Sequence, residues 1–155
     1  MALHVVKIST LPLIIFILAS QVYANQSTLF LDGLKGVIRI DYLDGSSYEG
    51  QVEECLIKLT KINCMSGMGV YDFKAGSKYF GSFKSNKPNG NGLFIHLDGQ
   101  TYKGSFKDGA INGKGIMTYP DGQRYDGDYS NNMRHGKGIM TYPDGRRYEG
   151  GYKNN

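Results

Sequence analysis

Apolar and polar positions fall into two regimes along the chain. Near the start lies the nearly unbroken apolar run Ile8 to Ala19; from Tyr48 onward, apolar and polar residues alternate in short segments. Tyr102-Lys103-Gly104-Ser105-Phe106 is the clearest of these: its alternation places Tyr102, Gly104 and Phe106 on one face of a strand. A loop carrying Asp108-Gly109 and Asn112-Gly113 follows, because Asn and Gly tolerate positive φ. Gly115 to Tyr119 reads as a second strand with Met117 and Tyr119 on a shared face, and Pro120-Asp121-Gly122 turns the chain into the next tyrosine strand.

This unit recurs. Tyr-x-Gly stands at Tyr48, Tyr79, Tyr102, Tyr125 and Tyr148, spaced 31, 23, 23 and 23 residues apart. Gly-x-Gly begins at Gly67, Gly90, Gly113 and Gly136, again 23 apart. Asp-Gly closes the register at Asp44, Asp98, Asp121 and Asp144, with Ala75-Gly76 standing in once. Three interlocked patterns sharing one period mark a repeat array. One unit has too few aromatic rings to offset the entropy of ordering 23 residues, so neighbouring units must bury one another's faces. The expected fold is all-β: a single-layer twisted antiparallel sheet of stacked hairpins, preceded by a signal peptide.

These residues resemble the MORN repeat family, whose units carry a Tyr-x-Gly, Gly-x-Gly and Asp-Gly pattern over 23 residues. The resemblance covers Tyr48 to Asn155. With the apolar leader, the chain is expected to divide into residues 1–24 as signal peptide, 25–47 as an N-terminal cap with a degenerate strand, and 48–155 as the array. Within the cap, Ile40 and Tyr42 align with Met117 and Tyr119. Departures are visible. The position where family members often carry Trp holds Val52, Phe83, Phe106, Tyr129 and Tyr152. The first unit also holds a cysteine-containing insertion, at about 53–66. The resemblance implies a scaffold that binds partners; a kinase reading fails for want of any phosphate loop or catalytic motif.

Composition agrees. There are 22 Gly, 12 Tyr and 7 Phe with no Trp, and charged residues make up 21% of the chain. The aromatic supply suits strands. The net charge of +4 excludes little, but 155 residues exclude large nucleotide-binding enzymes. Lys7, the Leu11–Leu18 core and the small residues at Val22 and Ala24 lead us to expect an exported protein, periplasmic or secreted, cleaved near Ala24. The alternative is an anchor formed by the uncleaved segment.

Candidate chemistry is sparse. His96 shares a column with Phe73, Tyr119 and Tyr142, and is expected to replace a packed aromatic. His135 is expected in a solvated loop. Neither has a placed catalytic partner, and no metal-ligand spacing or cofactor motif is present, so no enzyme activity, metal or cofactor is expected. Cys55 and Cys64 are expected to bridge across a hairpin that holds them opposite each other, as suits an exported chain.

Two binding surfaces are expected. One is the aromatic face of Tyr79, Phe83, Tyr102, Phe106, Tyr125, Tyr129, Tyr148 and Tyr152, meeting an unidentified protein partner. The other is a basic loop edge of Lys84, Lys87, Lys107, Lys114, Arg134 and Lys137, meeting anionic lipid or an envelope polymer. Nucleic acid is a poorer fit to an exported chain of modest charge. The strand Tyr148 to Tyr152 has no successor, which suggests self-association through its edge.

Overall fold

The computed structural model describes residues 37–57 and 60–154. The signal-peptide reading, on residues 1–24, lies outside them. Ten strands, β1 (Val37–Asp41), β2 (Ser47–Ile57), β3 (Thr60–Asp72), β4 (Lys78–Lys84), β5 (Lys87–Ile95), β6 (Thr101–Lys107), β7 (Ala110–Thr118), β8 (Arg124–Ser130), β9 (Met133–Thr141) and β10 (Arg147–Tyr152), follow one another in chain order. They form one antiparallel sheet in which each strand pairs only with its sequence neighbours. The described residues contain no helix.

Two kinds of turn alternate along the sheet. On one edge an aspartate carboxylate caps the turn, accepting from the backbone amide two residues on: Asp98 from Gln100 at 2.9 Å, Asp121 from Gln123 at 3.0 Å and Asp144 from Arg146 at 3.0 Å. This bond holds the Asp98 carboxyl below the usual range, helped by His96. On the other edge two residues close each hairpin, both with positive φ: Ser85-Asn86, Asp108-Gly109 and Asn131-Asn132. That geometry matches the twist of the flanking strands.

The second turn corrects an expectation. Asn112-Gly113 does not belong to the loop, and β7 begins at Ala110, five residues before the expected Gly115. Asp108-Gly109 alone turns the chain. Gly113, at φ 99°, instead lies where the β6–β7 register shifts between Gly104 and Phe106. Successive turns are also stitched together: Asn132 donates its backbone N–H to Ile111 O at 2.9 Å, and its Oδ1 accepts from Ile111 N at 2.8 Å.

The core lies on one face of this single layer. Each core tyrosine lies flat over its own glycine and a glycine of the following strand. A Cβ at Gly92 would sit 2.5–2.7 Å from the Tyr79 ring and hydroxyl, and one at Gly115 would clash with the Tyr102 ring edge and hydroxyl in the same way. The hydroxyl then reaches past the glycine to donate to the carbonyl three residues on. Tyr79 reaches Ser82 at 2.9 Å, Tyr102 reaches Ser105 at 3.0 Å and Tyr125 reaches Asp128 at 3.0 Å. Phe or Trp lacks a phenolic donor at that point, which accounts for tyrosine in this column.

A lid ring from the next unit covers each of Tyr48, Tyr79, Tyr102 and Tyr125 edge-on. Tyr48, Phe83, Tyr79, Phe106, Tyr102, Tyr129, Tyr125, Tyr152 and Tyr148 form an unbroken T-shaped chain, with centroids 4.9–5.5 Å apart. Each such contact adds about 0.5–1.5 kcal/mol beyond area burial. The chain of rings links every repeat to the next.

Candidate functional site

The expected aromatic face divides in two. Tyr79, Phe83, Tyr102, Phe106, Tyr125 and Tyr129 are all 7% exposed or less, so they are the core and offer no contact surface. Ring-over-glycine packing with a lid above consumes their faces. Of the eight residues, only Tyr148 (48% exposed) and the half-buried Tyr152 open to solvent.

A second row on the same face is only partly buried. Tyr71, Phe94 and Met117 stand beside the core tyrosines on the Asp-Gly side, each paired with one or two of them across the sheet. Tyr42, Phe73, His96, Tyr119 and Tyr142 lie one step further out. Consecutive centroids run Tyr42–Tyr71 5.9 Å, Tyr71–Phe73 4.7 Å, Phe73–Phe94 5.9 Å and Phe94–His96 6.2 Å. Phe73 is 40% exposed, while Tyr119 and Tyr142 are half-buried. The Arg146 guanidinium sits 5.1 Å over the Tyr142 ring and extends the strip toward the C-terminal end. Burial of Tyr42 pushes its hydroxyl up to about 12.

His96 departs from expectation. It keeps to the aromatic column, but its side chain is nearly half exposed and its Nδ1 lies 2.8 Å from the Asp98 carboxylate. Its ring still stands 6.2 Å from Phe94, so it takes the place of a partly exposed ring in that column rather than a buried one. His135 lies within β9, paired with Asp128, rather than in a loop.

The expected basic edge also breaks apart. Lys84, Lys87 and Lys107 flank the two-residue turns and are exposed, as expected. Lys114 and Lys137 instead lie within strands. Lys114 Nζ pairs with Asp128 at 3.0 Å, and the backbone N–H of Lys137 donates to that same carboxylate at 3.2 Å. These contacts hold the Asp128 carboxyl below the usual range. Arg134 turns to the aromatic face, its guanidinium 5.6 Å and 5.5 Å from the Tyr125 and Tyr152 centroids. The cause is strand parity: the longer strands carry these positions away from the loop edge.

β2 and β3 form the expected extended hairpin, but its register places Cys55 opposite Ile62 and Cys64 opposite Glu53. The cysteines are therefore diagonal rather than directly opposite. The Cys55 side chain lies outside the described residues. Cys64 is buried and accepts from Asn86 Nδ2 at 3.3 Å. Among the described residues, no three His, Cys, Asp or Glu side chains gather as metal ligands.

A family model for the MORN repeat matches residues 79–101, 102–124 and 125–146. No curated protein matches the chain. Among solved structures, it resembles the SAS-4 (dCPAP) TCP domain in complex with a proline-rich motif of Ana2 (dSTIL) from Drosophila melanogaster. That match has 12% identity and a TM-score of 0.39, covering 75% of this chain and 72% of that one.

Proposed function

Residues 79–146 are three consecutive members of the MORN repeat family, and from that premise we propose that this protein is a non-catalytic exported scaffold whose half-exposed aromatic strip holds a partner protein. MORN repeats are commonly protein or membrane interaction modules. The observation that favours protein over membrane is the strip itself. Tyr71, Phe73, Phe94, Tyr119 and Tyr142 present ring surface along one line, while the six nearest core and lid rings are fully used in packing. Rings set on a rigid sheet lose little entropy on contact, which suits an interface anchor. The partner chemistry that fits is an extended apolar segment running across the strands.

The basic edge supports a membrane reading poorly, because Lys114 is tied to Asp128 and Arg134 is committed to ring stacking. Salt separates the two. Capture of a partner by the strip persists at high ionic strength, whereas headgroup binding through Lys84, Lys87 and Lys107 collapses. The double substitution Phe73→Ser with Tyr119→Ser abolishes capture while Lys84→Ala with Lys107→Ala leaves it intact. The reverse pattern contradicts the reading. Export rests on Lys7, Leu11–Leu18 and Ala24, and predicts a mature chain beginning at Asn25, to be read by intact mass. The same compartment supports a Cys55–Cys64 bridge, tested by counting free thiols in that mature chain.

A further inference from the structure

The residue after each repeat tyrosine points to the opposite face of the sheet, away from the aromatic core. Four of the five such residues are charged: Glu49, Lys103, Asp126 and Glu149. The fifth is Phe80. It is 37% exposed, and the register sets it opposite Val70 on β3 and Leu93 on β5. Met68, 60% exposed, flanks it and takes the Ser82 hydroxyl on its sulfur at 3.3 Å. One unit has thus exchanged a solubilising charge for a ring and joined three strands into a continuous apolar band. The repeat pattern does not require this, since the other units keep the charge.

The band's borders indicate what covers it. Two strands to one side of Phe80 lies Glu49, and two strands to the other lies Lys103. Among the described residues Lys103 makes no ion pair, and Glu49 pairs only with Arg39, at 3.5 Å. Charge, apolar band and opposite charge are therefore arranged evenly about Phe80. That arrangement is self-complementary. A second copy, turned about a two-fold axis lying along β4, sets Phe80 against the partner's Phe80, Val70 against the partner's Leu93, and Glu49 against the partner's Lys103. Lys78, also near that axis, brings its own counterion, Asp72, at 2.6 Å.

We propose that the outer face of β3–β5, centred on Phe80, packs against the same face of a second copy to form a two-fold symmetric sheet-on-sheet dimer. Twisted sheets stack about 10 Å apart, and the twist away from the axis on either side of β4 confines contact to the central strands. An interface of that size lies below the usual range for stable complexes, so the dimer is weak and reversible. Its consequence is valency. Both aromatic strips face outward, and two partner segments bind one dimer.

Sedimentation equilibrium of the full chain from micromolar to millimolar concentration tests this, with melting curves confirming that each variant folds. The wild type shows a concentration-dependent monomer–dimer equilibrium, and Phe80→Glu is monomeric throughout. Glu49→Lys weakens association at least tenfold by setting like charges together. Adding Lys103→Glu to it restores the wild-type constant to within about threefold, as charge reversal across a two-fold contact requires. That rescue also stands in for Phe80→Glu should the latter fail to fold. A strictly monomeric wild type overturns the proposal. So does association unaffected by Phe80→Glu, which points instead to the edge of β10. A double variant as weak as Glu49→Lys overturns it as well.

Discussion

The two faces of this sheet are built from the same strands and obey different rules. On the aromatic face the position of Tyr48 is tyrosine in all five units, and ring, glycine and lid repeat with little change. On the outer face the adjacent column runs Glu49, Phe80, Lys103, Asp126 and Glu149. Strand period explains the contrast, because successive residues belong to different faces and are constrained separately. A ring that lies on two glycines and donates to a carbonyl is held to one shape and one hydrogen bond, whereas an outer side chain answers only to solvent and to whatever docks there. The repeat therefore encodes assembly on one face and leaves individuality to the other.

The sharpest way to break that contrast is to place a side chain under a core ring. Gly115→Val drives a Cβ into the Tyr102 ring and costs about 3 kcal/mol or more, while its neighbour Lys114→Ala changes stability by about 0.5 kcal/mol or less. Urea melts compare the two, and equal midpoints contradict the ring-over-glycine core. Alkali acts on the same face without mutation. Burial pushes the Tyr79 and Tyr102 hydroxyls up to about 12, against about 10 in an unfolded chain. A raised folded value means stability is complete below pH ~10 and is lost as pH rises through ~12. The melting temperature therefore falls across that window, and a flat profile contradicts the burial.

Smaller changes probe single hydroxyls. Tyr102→Phe keeps the ring and loses the bond to Ser105 O, costing about 1 kcal/mol. Tyr129→Phe acts with the opposite sign: its buried hydroxyl finds no hydrogen-bond partner among the described residues, and the equivalent lids at 83 and 106 are already Phe. Removing it raises stability by up to about 1 kcal/mol in the same melts.

Much of the assembly was legible in the chain, because Tyr-x-Gly and the 23-residue period mark strand order and the buried column directly. The turns were harder. Asn112-Gly113 carries a strong turn signal, yet it spends its positive φ within β7 beside the shifted register, since Asp108-Gly109 already closes the hairpin. The outer aromatic strip was written in the column of Phe73, His96, Tyr119 and Tyr142, but sequence spacing does not say which aromatic column is the lid and which stays partly exposed. That depends on which ring lies across a neighbour's glycine, a fact of three dimensions. The fate of Arg134 was hidden for a related reason: with the strand extended, it pairs with Tyr129 and joins the aromatic face.

The claim that the aromatic strip is the partner-binding surface is tested most directly by position-specific photo-crosslinking in cells that make the protein. A photoreactive residue is placed at position 73 on the strip, or at position 84 on the lysine-bearing turn edge. The account predicts a discrete protein adduct from position 73 that survives high salt, and none of that mass from position 84. An adduct from position 84 alone, or lipid in place of protein at position 73, contradicts it.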